Sequence, residues 1–184
     1  MTLRSDVAEL LAAAGIVDVD VDDAVEDEHI RSFAYRRVIS ATASLPRRDR
    51  DRAIVTTILR DPNELGSKTA VVALVDGVAT KVTGPAEFRQ WSAELLPEID
   101  RLQTERYREF IRRRIHDWLF YLSIRAGHES TPAELAGVTD WMQRVLAEES
   151  TSPAVLALLA GSGSSRKIRN IAKSRAGKRE LRTE

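Results

Sequence analysis

A group of basic side chains near the end of the sequence has the residue types and spacing best suited to a chemical role. They are Arg166, Lys167, Arg169, Lys173, Arg175, Lys178 and Arg179. Residues 166–184 hold eight basic residues against two acidic ones, which gives this segment a net charge of +6 in a chain of net charge zero. Because guanidinium and ammonium groups bind phosphate oxygens, we expect these seven side chains to contact nucleic-acid phosphates, with little preference among sequences.

The spacing of the basic segment leaves three interpretations open. Ile168, Ile171 and Ala172 recur at helical intervals opposite Arg166 and Arg169, which is typical of a basic amphipathic helix. The segment follows a glycine- and serine-rich stretch at residues 161–164. It is therefore a flexible basic arm, the last helix of a helix-turn-helix, or a solvated or protein-binding tail. It contains no aromatic residue, which argues against recognition of single strands by base stacking.

An acidic segment lies at the other end of the chain. Residues 18–28 carry seven acidic residues and no basic one, a local charge of −7. Two uses of this charge are open: docking of an oppositely charged partner or of the basic tail in a homo-oligomer, and binding of a divalent cation with the help of His29. Since no other predicted helix offers a matching cluster of ligands, we expect the acids to be solvated at the start of a helix and no metal to be bound.

A histidine on a long predicted helix gives an enzymatic alternative. His116 follows the run Arg112-Arg113-Arg114-Ile115. This helical Arg–His pair is similar to the one with which HEPN-type ribonucleases place a general acid or base near the scissile phosphate. Their motif has four to six residues between Arg and His, whereas Arg112 leaves three and Arg108 leaves seven. The resemblance implies a metal-independent ribonuclease centred on His116, but the spacing favours a stripe of surface ion pairs.

Composition excludes several classes of protein. The 184 residues are 43% hydrophobic, 30% charged and 5% aromatic, which suits an aliphatic core and not a disordered chain. The absence of cysteine excludes disulfides, thiolate nucleophiles and Cys-ligated metals. With no apolar run of about 18 residues, no signal-peptide core and no phosphate-binding loop, we expect a cytoplasmic protein without membrane contact or cofactor.

Apolar residues recur at intervals of three and four along most of the chain, which predicts an all-α fold. The pattern indicates an irregular multi-helix bundle around a long central helix at about 97–126, opened by Pro97. An earlier helix places Ile30, Phe33, Val38 and Arg37 on one side. On the central helix Arg114 falls within the apolar stripe, so we expect it to pair with an internal carboxylate.

One segment fits two secondary structures. Within residues 66–83, Val71, Leu74, Val75 and Val78 lie at helical spacing, whereas the dipeptide Asp76-Gly77 is a strong signal for a two-residue β-hairpin turn. We predict a helix, because its neighbours are helical and an isolated hairpin is only marginally stable. A small β-hairpin near residues 70–82 is the alternative.

These observations divide the sequence into a helical domain at residues 1–161 and a basic extension at residues 162–184. We expect a non-enzymatic, nucleic-acid-associated protein, regulatory or architectural, that contacts phosphates through the extension. The alternative is a protein–protein adaptor or an oligomerising scaffold that uses the acidic segment and the basic tail, the latter against an acidic protein surface.

Overall fold

The computed structural model describes the backbone of residues 2–183 and the side chains of residues 2–177, and this part of the chain is helical with no β-strand. The all-α prediction is confirmed. The helices are α1 (Leu3–Ala13), α2 (Val21–Glu26), α3 (Glu28–Ser44), α4 (Asp51–Ile58), α5 (Glu64–Ala79), α6 (Pro85–Ile99), α7 (Glu105–Arg125), α8 (Pro132–Ala136), α9 (Asp140–Glu149), α10 (Pro153–Ser162) and α11 (Arg166–Thr183). None of the described helices is both long enough and apolar enough to cross a bilayer.

Two compact units make up the chain, Met1–Ile115 and His116–Glu184, and the division falls within α7. The core of the first unit is formed mainly by α3, α5 and α6. Its largest fully buried side chains include Leu74 of α5 and Phe88, Leu95 and Ile99 of α6. These residues lie at helical intervals on their elements, so each helix buries one side in the core.

The ambiguous valine-rich segment is the helix α5, and the hairpin alternative is wrong. Asp76 and Gly77, which resemble a hairpin turn, lie in the last turns of this helix. A Cβ atom on Gly77 would come within 3.0 Å of the Ala43 Cβ of α3. Gly77 therefore does not form a turn; its missing side chain allows α3 and α5 to approach each other closely.

The predicted helix at 97–126 is divided in the structure. Pro97 lies inside α6, near its end, and α7 begins only at Glu105. The chain is held between the two helices by the Glu64 carboxylate of α5, which accepts hydrogen bonds from the backbone N–H groups of Gln103 (2.5 Å) and Thr104 (3.0 Å). This long-range capping fixes the start of α7 where the local sequence suggests continuity.

The central stripe also contains Arg114, whose partner the structure identifies. Its Nε atom lies 3.7 Å from Oδ1 of Asp76 on α5, and its side chain is largely buried. The expected carboxylate partner is therefore present. Phe110, four residues before Arg114 on the same helix, is 45% exposed, with the Lys68 ammonium 4.6 Å from its ring centroid.

The second unit is organised by helix caps that the sequence makes visible. Thr131 and Glu134 form a reciprocal capping box at the start of α8, and the Ser152 side chain caps α10. The buried Asp117 carboxylate accepts hydrogen bonds from the backbone N–H and the hydroxyl of Thr139, the N-cap residue of α9. Leu135, Met142, Leu146, Leu156 and Leu159 are fully buried between these helices.

Candidate nucleic-acid interface

The basic segment forms the helix α11, which packs against α9 and α10. Ile168 is 3% exposed and Ala172 is fully buried, so one side of α11 belongs to the core of the second unit. The structure therefore has a packed helix in this segment and not a flexible arm.

A short turn at residues 163–165 sets the direction of α11 relative to α10. The backbone N–H of Ser164 donates to Oε1 of Gln143 (2.8 Å), and the Gln143 amide donates in turn to the carbonyl oxygens of Leu135 (2.9 Å) and Val138 (3.3 Å). Gln143 is buried, and its side chain therefore ties the turn to α9 and to the end of α8. The Ser165 hydroxyl then accepts from the backbone N–H of Ile168 in the first turn of α11.

Close packing at this turn makes Gly163 difficult to replace. A Cβ atom at this position would lie 2.6 Å from the carbonyl oxygen of Leu159 and 3.0 Å from the Cγ2 atom of Ile168. We therefore expect Gly163→Ala to lower the free energy of unfolding of the second unit by about 1–3 kcal/mol, as overpacking usually does. Chemical denaturation followed by tryptophan fluorescence, with Trp118 and Trp141 as reporters, measures this loss.

Gly161 provides the matched control for this variant. It lies two residues earlier, inside α10, and a Cβ atom there would meet nothing within 4 Å. Since alanine is favoured over glycine in a helix by about 0.5–1 kcal/mol, Gly161→Ala should leave the unit equally stable or slightly more stable. Equal destabilisation by both variants would contradict the close packing of the turn.

Two of the predicted phosphate-binding residues are used to hold α11 in place. The Arg169 guanidinium donates to the carbonyl oxygen of Gly163 (2.7 Å). The Arg175 guanidinium donates to the carbonyl oxygens of Glu148 and Ser150 at the end of α9, where a cation also complements the helix dipole. Both arginines are half-buried and stabilise the unit.

Three other predicted residues, Arg166, Lys167 and Lys173, are exposed and form what we call the basic face of α11. In the part of the chain whose side chains are described, none of the three forms an ion pair with a carboxylate. No acidic residue lies between Arg166 and Gly177. The side chains of Lys178 and Arg179, which complete the predicted set, lie outside the described residues.

Two uncharged residues belong to the same exposed side of α11 and were missed by the sequence analysis. Asn170 and Ser174 follow Arg166 at successive intervals of four, and both are exposed. Their helical spacing from Arg166 could have identified them. A count of charged residues does not include them, because an amide and a hydroxyl group are uncharged.

The acidic segment at residues 18–28 is largely occupied within the first unit. Asp18 accepts from Arg37, and Asp22 pairs with Arg4. Asp20 and Asp27 cap α2 and α3, and Glu28 accepts from the Asn63 side chain. These neighbouring arginines lower the pKa values of Asp18 and Asp22 by hydrogen bonding to their carboxylates. Among the described residues no three His, Asp or Glu side chains converge to hold a metal ion.

The residues of the ribonuclease-like pattern have other partners. Arg112 forms an ion pair with Asp100, and Arg108 donates to the carbonyl oxygens of Leu102 and Gln103. His116 is exposed on the second unit, where its Nε2 atom lies near Gly137. Each arginine therefore has a structural use of its own.

The first unit also contains an open cleft of about 920 Å³ between the end of α1, the end of α3 and α4. Asp51, buried at its edge, accepts from the indole Nε1 of Trp91 (2.9 Å) and from Arg48 (3.3 Å). Burial raises the pKa of the Asp51 carboxyl.

The chain matches no protein family, no curated protein and no solved structure with which it was compared.

Proposed function

We propose that the protein binds nucleic acid through the basic face of α11. The observation that carries this proposal is the exposure of Arg166, Lys167 and Lys173 on one helix without a carboxylate partner among the described side chains. Cations of this kind contact phosphate oxygens without first giving up an ion pair. The opposite side of α11 is buried, so the core of the second unit holds the helix while the side chains of Arg166, Lys167 and Lys173 face solvent.

This binding depends strongly on salt. Each cation that neutralises a phosphate contributes about 0.9 to the negative slope of log K against log salt, so three contribute roughly 2.7. Because of these three contacts alone, an increase in salt from about 50 to 200 mM weakens binding roughly 40-fold. Since phosphate contacts carry no sequence information, this part of the affinity suits an architectural or regulatory protein that first binds duplexes indiscriminately.

The test is the triple variant Arg166→Gln/Lys167→Gln/Lys173→Gln, measured by fluorescence anisotropy with a labelled random-sequence duplex at two salt concentrations. We expect it to lose most of its affinity at low salt and to have a salt slope shallower by about 2.7 than the natural chain. Glutamine retains helix propensity, so the variant should fold normally.

A second triple variant removes the same charge elsewhere. Arg47, Arg89 and Arg113 are exposed residues of the first unit, and their replacement by glutamine changes the net charge equally. This control should keep the salt slope and most of the affinity. If both triple variants bind alike, or if the natural chain binds neither DNA nor RNA at low salt, the proposal is wrong.

A further inference from the structure

We infer that α11 reads base edges in the major groove of duplex DNA, with Asn170 as the reading side chain. This inference rests on the proposed function and specifies it, because it names the partner as duplex DNA and predicts a preferred base. Nucleic-acid binding through the basic face alone requires neither a DNA duplex nor a preferred base.

The position of Asn170 on the helix is the first argument. With about 100° of rotation per residue, Asn170 lies roughly 160° around the helix axis from both Ile168 and Ala172, the two buried residues of α11. It is therefore at the centre of the side that points away from the core. Its amide is exposed and has no hydrogen-bond partner among the described residues.

The neighbours of Asn170 are arranged as a reading helix requires. Arg166 and Lys173 lie to one side of it around the helix and Lys167 to the other, where they can contact the phosphates that border a groove. Ser174 and Gly177 continue its stripe, and a Cβ atom on Gly177 would meet nothing within 4 Å. Small side chains here allow the helix backbone to come close to the floor of a groove.

The support of α11 is the second argument. The ten-residue helix α10 precedes it, and the turn at residues 163–165 joins them. Gln143 of α9 fixes this turn through the Ser164 N–H. The helices α9, α10 and α11 pack against one another, and the 18-residue α11 leaves one side exposed. A packed group of helices that presents the exposed side of its last helix is typical of helix-turn-helix DNA-binding units.

The dimensions favour DNA over RNA. An α-helix with its side chains is about 10–12 Å across, which matches the roughly 12 Å width of the major groove of B-DNA. The major groove of an RNA duplex is too narrow and deep to admit it. The amide of an asparagine donates one hydrogen bond and accepts another, which matches the N7 and N6 groups of adenine.

The test selects bound sequences from a random duplex library with the full chain and with Asn170→Ala. We expect the natural chain to prefer adenine at one position by about 10- to 100-fold over other bases. Asn170→Ala should lose that preference and keep the affinity and salt slope for random duplex, because the basic face is intact. Gln90→Ala, which removes an exposed amide from α6 of the first unit, should select the same sequences as the natural chain.

The outcomes separate this inference from the proposed function. If the chain binds duplex DNA through the basic face but selects no base, or if Asn170→Ala selects the same base, base reading is wrong and phosphate binding stands. Tighter binding to RNA or to single strands than to duplex DNA also overturns it. If the triple variant of the basic face binds like the natural chain, the proposed function itself is wrong.

Discussion

Replacement of Arg31 by methionine is expected to lower the free energy of unfolding of the first unit by about 3–5 kcal/mol, because it leaves a buried carboxylate without its cation. Arg31 of α3 is 5% exposed. Its Nε atom donates to Oδ2 of Asp61 (2.7 Å), and its Nη1 atom donates to the carbonyl oxygens of Ala24 and Val25, both at 3.0 Å. The variant leaves both carbonyl oxygens without this donor. The Asp61 carboxylate keeps the hydrogen bond from the Tyr35 hydroxyl but loses the cation that balances its negative charge.

Arg37 on the same helix provides the control. It pairs with Asp18 at 2.7 Å, but its side chain is 35% exposed and that of Asp18 is 65% exposed. An ion pair in such an exposed position contributes little to stability because solvent screens it, so Arg37→Met should barely change the free energy of unfolding. Urea denaturation combined with hydrogen exchange of the α3 amides measures both. Similar losses in the two variants would contradict the distinction between the buried and the exposed pair.

Arg31 also marks the limit of what the sequence predicts about the core. The hydrophobic pattern assigned Ile30, Phe33 and Arg37 to the inner side of α3, yet Ile30 and Phe33 are exposed. Instead Arg31 and Tyr35 are buried, because Asp61 satisfies both of them from a position 30 residues further along the chain. The hydrophobic periodicity of a helix shows which of its residues are apolar. It cannot show that a carboxylate distant in sequence will form the hydrogen bonds that allow polar residues to be buried.

Helix boundaries that depend on near neighbours can be recognised in the sequence. The cap of α8 at Thr131 and Glu134 and the cap of α10 at Ser152 depend on residues three positions apart, and the structure has both. The start of α7 depends on Glu64, about 40 residues away, and the sequence analysis missed it. The separation in sequence between a helix end and the residue that caps it therefore decides whether the sequence reveals that helix boundary.

The candidate interface follows the same rule. Counting charges identified Arg166, Lys167 and Lys173, which are exposed, together with Arg169 and Arg175, which are bound to backbone carbonyl oxygens. The difference between the two groups depends on which side of α11 is buried. That side is set by the close contacts of Gly163 and by Gln143, whose partners lie on other elements.

The packing of α11 leads to the second large effect, which is expected for Ile168→Ala. Ile168 is 3% exposed against α10, and truncation of a buried isoleucine to alanine costs about 2–5 kcal/mol. We therefore expect the second unit to lose that much of its free energy of unfolding, as measured by urea denaturation with tryptophan fluorescence. The charge of α11 does not change, so any loss of nucleic-acid affinity in this variant comes from the helix and not from its cations.

Ile171, three residues later on the same helix, distinguishes a packed helix from an independent tail. It is only half-buried, so Ile171→Ala removes the same atoms with a clearly smaller loss of stability. If α11 were independent of α9 and α10, neither substitution would change the unfolding of the unit, and the basic residues would act as a mobile arm. If only Ile168→Ala destabilises the unit, α11 is a fixed element, and the orientation of Asn170 and the basic face is imposed by the core.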